Sequence, residues 1–281
     1  MQRSIEQALR NIPSEPYSDL RPVLAQFIES VQSALEEDFV GAYAVGSLAT
    51  GDFDLDSDID FLIVIREELT DAEVALLRAL HLEIHKLDCY PAKHLEGSYI
   101  SRQCLTCAEL VGVQPLWYVD DGSSVLEQSV HDNQWHVRWI LRECGITLVG
   151  PEPKELMEPV PVEALRGEMV SAIERLRMHF VSEIDKPLGW FNTRFGQSFT
   201  VLTCCRMLHT VRTGVIQSKL AAVQWAEESI DVEWCELVKQ AWAERTGARY
   251  GTKVRQPAEV GLLHQTGRFI GYVQNELRPR Q

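Results

Sequence analysis

Apolar residues first recur at helical spacing and then form short continuous runs. Between residues 19 and 37 they fall every three or four positions, which predicts a helix with one buried face. The runs 39–45 and 59–65 are apolar and rich in β-branched residues, which predicts two buried strands. The alternation then continues with an expected helix at 70–87 and expected strands at 94–100 and 110–119. We therefore expect an α/β domain with a mixed sheet over residues 1–150.

The second half of the chain is helical in pattern and is set apart by prolines. A helix is expected at 133–144, and four prolines then fall within the segment 151–161, which predicts a linker. Beyond it, helical spacing is interrupted only by short breaks, with helices expected at 162–183, 188–213, 218–229, 231–246 and 256–277. The region 162–281 is therefore expected to form an all-α helical bundle.

Charge and composition limit which partners the protein can bind and in which compartment it is expected. The 281 residues include 41 Asp and Glu against 27 Lys and Arg, for a formal net charge of −14. This charge disfavours binding to nucleic acid or to an anionic membrane, and it suits a cationic partner or a bound metal. We find no window apolar enough to span a membrane and no leader pattern, so a cytoplasmic protein is expected. The seven scattered cysteines predict reduced thiols.

The densest group of candidate functional residues surrounds the second predicted strand. Gly46 and Ser47 follow the first strand, and Asp58 and Asp60 stand at the head of the second. Alternate residues of a strand point to the same side, so the two carboxylates are expected to converge. Converging carboxylates favour a hard divalent cation such as Mg²⁺. Small residues in the Gly-Ser turn allow a phosphate to approach backbone N–H groups, and the Ser47 hydroxyl adds a donor.

A calcium loop is an alternative interpretation of the same acidic segment. Four acidic residues stand at the ligand positions of an EF-hand, namely Asp56, Asp58, Asp60 and Glu67. However, Phe61 occupies the position that requires glycine, and the segment is apolar with no flanking helix pair. The EF-hand interpretation is therefore rejected.

Two further groups resemble metal or redox motifs but are assigned no role. Cys104 and Cys107 form a C-x-x-C without a second pair at zinc-site spacing. His81 and His85 stand one helical turn apart, but no third ligand follows, and we expect both on a helix surface.

The Gly-Ser turn followed by Ser57-Asp58-Ile59-Asp60 resembles the motif of the polymerase-β-like nucleotidyltransferases. The resemblance implies that Asp58 and Asp60 bind Mg²⁺, that Gly46, Ser47 and Ser57 bind the nucleotide, and that a later strand supplies a third carboxylate.

Three acidic residues are candidates for that third carboxylate. Glu83 and Asp88 belong to or end the helical stretch 70–87, whereas Glu96 follows Pro91 in a predicted strand. Glu96 lies far enough after the aspartates for a strand, a helix and a returning strand. We therefore choose Glu96 as the catalytic residue.

Most of the chain also resembles one family within that superfamily, the aminoglycoside adenylyltransferases. The resemblance rests on YPAK at 90–93, LVGPEPKEL at 148–156 and GVIQSKLAAVQWAEE at 214–228. It implies ATP as co-substrate, with Arg206 and Lys219 as two basic ATP-binding residues, Trp242 in place of an aromatic ATP contact, and a helical C-terminal domain that closes over ATP.

The acceptor positions depart from the family pattern. Asn192 and Gly196 stand where the streptomycin-modifying enzymes have two aspartates. Asn192 and the neighbouring Trp190 remain the candidate substrate-binding residues.

These observations predict an Mg²⁺-dependent enzyme that transfers AMP from ATP to a hydroxyl of a small molecule, for which an aminoglycoside is one candidate. Two alternatives stay open, a nucleotidyltransferase that modifies a protein and a catalytically silent nucleotide-binding module.

Overall fold

The computed structural model of the chain describes residues 5–186, 189–247 and 256–278. The chain divides into two units, Met1–Val160 and Pro161–Gln281. Each unit has its own cluster of buried apolar side chains. Within the described ranges, none of the helices combines the length and the apolar character that crossing a membrane requires.

One mixed sheet organises the first unit. Its strands, in chain order, are β1 Phe39–Ala44, β2 Ile59–Ile65, β3 Leu95–Ser101, β4 Leu116–Val119, β5 Leu126–Ser129 and β6 Ile146–Val149. Their order across the sheet is β5-β4-β3-β2-β1-β6. The pair β2–β3 is parallel, and the other four pairs are antiparallel. The predicted α/β class with a mixed sheet is confirmed.

Helices cover the sheet and connect its strands. The longer ones are α2 Leu20–Leu35, α4 Asp71–His85 and α7 Trp135–Cys144, and the short ones are α1 Ile5–Ala8, α3 Gly46–Thr50, α5 Tyr90–Lys93, α6 Arg102–Thr106 and α8 Pro153–Leu156. The apolar stripe that predicted α2 is buried in the core. Helix α4 starts with a capping box, in which Thr70 and Glu73 each satisfy a backbone N–H of the other.

The edge regions of the sheet differ from the prediction. The strand expected at 110–119 covers only β4, because the chain before it makes a turn that Asn133 fixes. The Asn133 side-chain amide donates to the carbonyls of Leu110 and Gln114, at 2.7 and 2.6 Å. Strands β5 and β6 were not predicted. The segment expected to be a linker contains α8, and Leu156 and Met157 within it are buried.

The second unit is helical in its described residues, as predicted. Its helices are α9 Val162–Glu183, α10 Arg194–Thr213, α11 Lys219–Ser229, α12 Val232–Arg245 and α13 Val260–Glu276. Helix α10 carries the largest set of buried residues and contacts all four of the others. It begins at residue 194 rather than 188, because the Thr193 side chain caps it by accepting from the Gly196 N–H.

Candidate active site

Three carboxylates meet where the parallel strands β2 and β3 begin. Asp60 on β2 is the register partner of Glu96 on β3, so their side chains project from the same face. Asp58 lies two residues before Asp60 and shares its side of the chain. Side-chain oxygens of the three residues all lie within 4.8 Å of one another. The structure therefore brings the predicted pair and the chosen third carboxylate together.

The Gly-Ser turn packs against this cluster. Gly46 has a φ of 54°, and a Cβ at this position would overlap the Asp60 carboxylate, so only glycine fits. The turn is held to the strand because the Val45 N–H donates to the Asp60 carbonyl at 3.0 Å. The Ser47 Oγ is buried and has no hydrogen-bond partner among the described residues. Such an orphaned hydroxyl fits a ligand oxygen.

Burial and like charge act together on Glu96. Its pKa is raised from 4.5 to about 10, first by burial and then by the charges of Asp58 and Asp60. A carboxyl with so high a pKa holds its proton at neutral pH while no cation is bound. A divalent cation among the three carboxylates would remove the cause of the repulsion, and an all-oxygen donor set is the kind that Mg²⁺ prefers. The residues present therefore fit a magnesium site.

The Tyr118 hydroxyl orients Glu96 from β4. It lies 2.7 Å from Glu96 Oε1 and 2.8 Å from Asp120 Oδ1. A phenol has one proton to donate, so the two carboxylates compete for it unless one of them is protonated. His131 adds a weaker contact, with its Nε2 at 3.6 Å from Glu96 Oε1. Sequence reasoning missed Tyr118 and gave no role to His131, which it placed near a predicted helix, because only the folding of β3, β4 and the segment before α7 brings them to Glu96.

A fourth carboxylate, that of the partly buried Asp132, lies beside this cluster. Its Oδ2 accepts a hydrogen bond from Ser98 Oγ at 2.7 Å. Burial raises the pKa of Asp132, and the nearby His131 opposes that rise. This residue was also missed in the sequence, where a single Asp before a helix is unremarkable.

The predicted nucleotide contact Ser57 belongs to the loop before β2. Its hydroxyl donates to Asp54 Oδ1 at 2.9 Å and accepts from the Asp54 N–H at 3.1 Å. The side chain is buried, with 2% exposure. Within this structure its hydroxyl therefore stabilises the loop that leads to Asp58, and direct contact with a nucleotide stays a prediction.

The other predicted nucleotide-binding residues belong to the helical unit. The Arg206 side chain on α10 donates through Nε to the Gln217 carbonyl at 3.0 Å. Lys219 is the first residue of α11, and its Nζ lies 5.9 Å from the centre of the Phe199 ring. Trp242 on α12 is partly buried against the core of this unit, with the Arg245 guanidinium 5.5 Å from its ring centre. Their roles in ATP binding stay predictions.

The candidate acceptor residues Trp190 and Asn192 lie immediately before the start of α10, and Gly196 lies in its first turn. Trp190 is 41% exposed, and its ring packs edge-on against Phe195 and Phe199 at 5.9 and 5.4 Å. The Asn192 side-chain amide donates to the backbone carbonyls of Ile184, at 2.9 Å, and of Lys186. A Cβ on Gly196 would overlap the Trp190 carbonyl oxygen, so this position is closed to any side chain.

The expectation for the histidine pair is wrong for His81. This residue is 3% exposed and lies in the core, with Nε2 2.8 Å from the Tyr99 hydroxyl. Burial lowers the pKa of His81 to about 4, so it is a neutral core residue. All seven cysteines are described and are free thiols, as expected.

Comparison with known proteins agrees with this geometry in both halves of the chain. A family model for the nucleotidyltransferase domain matches residues 24–105. A model for the C-terminal domain of aminoglycoside adenylyltransferases matches residues 155–266.

Relatives that match over most of their length agree with these matches. The chain is 25% identical over 209 residues to spectinomycin 9-adenylyltransferase from Campylobacter jejuni, covering 71% of this chain and 75% of that one. It is 24% identical over 277 residues to aminoglycoside (3'') (9) adenylyltransferase from Klebsiella pneumoniae, covering 90% and 93%. In fold it is similar to spectinomycin adenyltransferase from Enterococcus faecialis, solved with ATP and spectinomycin. The TM-score for that pair is 0.66 with 18% identity, covering 91% of this chain and 98% of the other.

The mixed sheet and its carboxylate cluster, together with the matching domain model, define a nucleotidyltransferase. The second domain model and the relatives then narrow the class. The match of residues 155–266 to the C-terminal domain model and the similarity to these relatives support a member of the aminoglycoside adenylyltransferase family.

Proposed function

We propose that this enzyme transfers AMP from ATP to a hydroxyl group of an aminoglycoside or aminocyclitol antibiotic, and that it requires Mg²⁺. The observation that carries the proposal is the convergence of Asp58, Asp60 and Glu96 at the start of β2 and β3. The acceptor class is supported by the names of the relatives, which are spectinomycin and aminoglycoside adenylyltransferases.

In the proposed mechanism, Asp58 and Asp60 hold the metal, and Glu96 takes the proton of the attacking hydroxyl. The bound cation would neutralise charge on the phosphates and on the carboxylate cluster, and it would thereby lower the pKa of Glu96 into the range where this residue acts as a base. Tyr118 keeps the Glu96 carboxylate oriented through its 2.7 Å hydrogen bond. The acceptor oxygen then bonds to the α-phosphorus of ATP while the bond to pyrophosphate breaks.

Nucleotide binding is assigned to the Gly-Ser turn and to the helical unit. Gly46 allows a phosphate to approach the backbone closely, and the buried Ser47 hydroxyl is available as a hydrogen-bond donor to it. Ser57 stabilises the adjacent loop. From the helical unit, Arg206 and Lys219 are proposed to bind the phosphates of ATP and Trp242 to stack on the base. The unit over residues 162–281 is proposed to close over ATP.

The acceptor is proposed to contact Trp190 and Asn192. The exposed Trp190 ring offers a flat apolar face to a sugar or cyclitol ring. Neither Asn192 nor Gly196 carries a carboxylate. The proposed acceptor site is therefore less negatively charged than that of enzymes with aspartates at these two positions. The net charge of −14 still favours the approach of a cationic drug.

We also propose that the enzyme works in the cytoplasm. Its co-substrate ATP is abundant there, and a reducing compartment is compatible with seven free cysteines.

The proposal is tested with purified protein, ATP, MgCl₂ and a panel containing spectinomycin and streptomycin. We expect pyrophosphate release that depends on the drug, and a product whose mass equals the drug plus AMP minus water. Glu96→Gln should reduce turnover by about 10²- to 10⁴-fold, while ATP binding measured by calorimetry is retained.

Glu83→Gln is the matched control, because Glu83 is exposed and pairs only with Lys86 among its described salt bridges. Full turnover in Glu96→Gln would refute the base assignment. ATP binding without transfer to any drug would favour the silent module, and release of pyrophosphate only with a cell extract would favour a protein acceptor.

A further inference from the structure

Three aromatic rings lie in successive contact behind the loop that carries Asp58, with the first two stacked and the third tilted by 32°. Tyr17 precedes α2, Tyr90 begins α5, and His94 immediately precedes β3. The Tyr17 and Tyr90 rings are 4.1 Å apart and within 8° of parallel, and the Tyr90 and His94 rings are also 4.1 Å apart. We call these three residues the aromatic stack.

Both tyrosine hydroxyls of the stack donate to the backbone of the loop. The Tyr17 hydroxyl donates to the Leu55 carbonyl at 2.9 Å, and the Tyr90 hydroxyl donates to the Ser57 carbonyl at 3.0 Å. The two bonds hold the loop on both sides of residue 56, immediately before Asp58. At its other end, the stack is joined to the sheet because the His94 carbonyl accepts the Ile59 N–H at 2.9 Å.

The segment that supplies Tyr17 is itself anchored. Ile12 and Leu20, on either side of Tyr17, are fully buried. The Arg21 guanidinium donates twice to the Ile12 carbonyl, from Nε at 2.8 Å and from Nη2 at 2.5 Å. This segment lies before residue 24, where the match to the nucleotidyltransferase domain model begins. Tyr17 therefore reaches the loop from a fixed position that the matched region does not supply.

The need for such support follows from the charge of the cluster. Asp60 and Glu96 are fixed by the ladder between β2 and β3, whereas Asp58 lies outside the strand. The carboxylates of Asp58 and Asp60 lie within 4.8 Å of each other, and their like charges repel while no cation is present. The residue that can move away is Asp58, and the loop before it is where the two tyrosines bind.

We propose that the aromatic stack is a positioning device that holds the loop before Asp58 in place and so preorganises the metal site. This inference rests on the proposed function, because it assumes that Asp58 and Asp60 bind a divalent cation. A preformed site binds its ion without first paying to order the loop. Loss of the two hydroxyls should therefore weaken cation binding more than it weakens the fold.

The experiment compares the wild type with the Tyr17→Phe/Tyr90→Phe double variant, which keeps both rings and removes both hydroxyls. Binding of Mn²⁺ in the absence of ATP is measured from the free Mn²⁺ signal in electron paramagnetic resonance. Tyr43→Phe is the matched control, since the Tyr43 hydroxyl also donates to a backbone carbonyl, that of Pro151 at 2.8 Å, from the β1 strand.

We expect the double variant to raise the Kd for Mn²⁺ by about tenfold, from two hydrogen bonds that each contribute a few-fold. The Mg²⁺ concentration that gives half-maximal AMP transfer should rise by a similar factor, with kcat at saturating Mg²⁺ within about twofold of wild type. Tyr43→Phe should leave both quantities unchanged.

An unchanged Kd in the double variant, or an equal increase in Tyr43→Phe, would overturn the inference. If the double variant does not fold, the two single variants are compared in the same way, each with an expected increase of about threefold. Absence of Mn²⁺ binding by the wild type would instead refute the proposed metal site, so the two failures are distinguishable.

Discussion

Replacing Glu96 by glutamine should stabilise the metal-free protein, although it removes the proposed catalytic base. Glutamine has nearly the shape of the protonated carboxyl and cannot ionise. The pKa of Glu96 is raised in the folded protein, so the folded state retains a proton that the unfolded state has lost. The wild type must therefore become less stable as the pH rises above 4.5, and the decline continues until the pH reaches about 10. The Glu96→Gln variant lacks this decline.

The size of the effect follows from the same two pKa values. Between pH 4.5 and pH 8 the folded state holds up to one extra proton, which is worth about 1.4 kcal/mol for each pH unit. The upper limit at pH 8 is therefore about 5 kcal/mol. Movement of side chains and entry of water relieve part of the repulsion, so we expect a gain of about 1–3 kcal/mol at pH 8 and a difference near zero at pH 4.5.

The assay is urea unfolding with a chelator present, at pH 5 and at pH 8, for the wild type, Glu96→Gln and the exposed control Glu83→Gln. The transition of the first unit must be followed separately, because the second unit has its own core. Added Mg²⁺ should reduce the difference, because a cation held by Asp58 and Asp60 would offset the charge of the ionised Glu96 in the wild type. A Glu96→Gln variant that is less stable than the wild type at pH 8, or whose advantage does not grow with pH, would refute the reasoning.

Three further predictions concern the turn, the base and the nucleotide. Gly46→Ala should abolish activity and lower the Tm, because its Cβ would overlap Asp60, whereas Gly51→Ala, which has open space around it, should cost only about 1 kcal/mol of stability. Tyr118→Phe should lower kcat about tenfold with an unchanged KM for ATP, as steady-state kinetics would show; a wild-type kcat would contradict the orienting role. Lys219→Ala should raise the KM for ATP about tenfold, while Lys239→Ala, on the surface of the same unit, should not; equal KM values would remove Lys219 from the nucleotide site.

The fold was predictable where one physical signal dominates a long segment. The central strands β1 and β2 are buried apolar runs, and helices α2 and α9 lie close to their predicted bounds. Strands β5 and β6 have only four residues each, at the two edges of the sheet. Too few side chains are buried there to leave a pattern, and pairing with a distant strand decides the structure instead.

The candidate site shows the same division. The convergence of Asp58 and Asp60 was predictable from strand periodicity, and Glu96 was chosen because the resemblance implies a third carboxylate on a later strand. Tyr118 and Tyr17 were not, because each acts through one hydroxyl on a group 22 or 38 residues away in the chain. His81 was misplaced because a polar residue on an amphipathic helix is usually exposed, whereas here the Tyr99 hydroxyl satisfies it within the core.

The close packing of Gly196 beneath the Trp190 carbonyl constrains which substitutions the proposed acceptor site can accommodate. A point mutation that introduces a carboxylate at residue 196 must displace the backbone at the start of α10, so it would damage the protein before it improved binding of a more cationic drug. Residue 192 is constrained as well, because aspartate has nearly the shape of asparagine but cannot donate to the Ile184 and Lys186 carbonyls, which would then face its negative charge. Changes that alter acceptor binding should therefore accumulate around the exposed Trp190, while positions 192 and 196 keep asparagine and glycine.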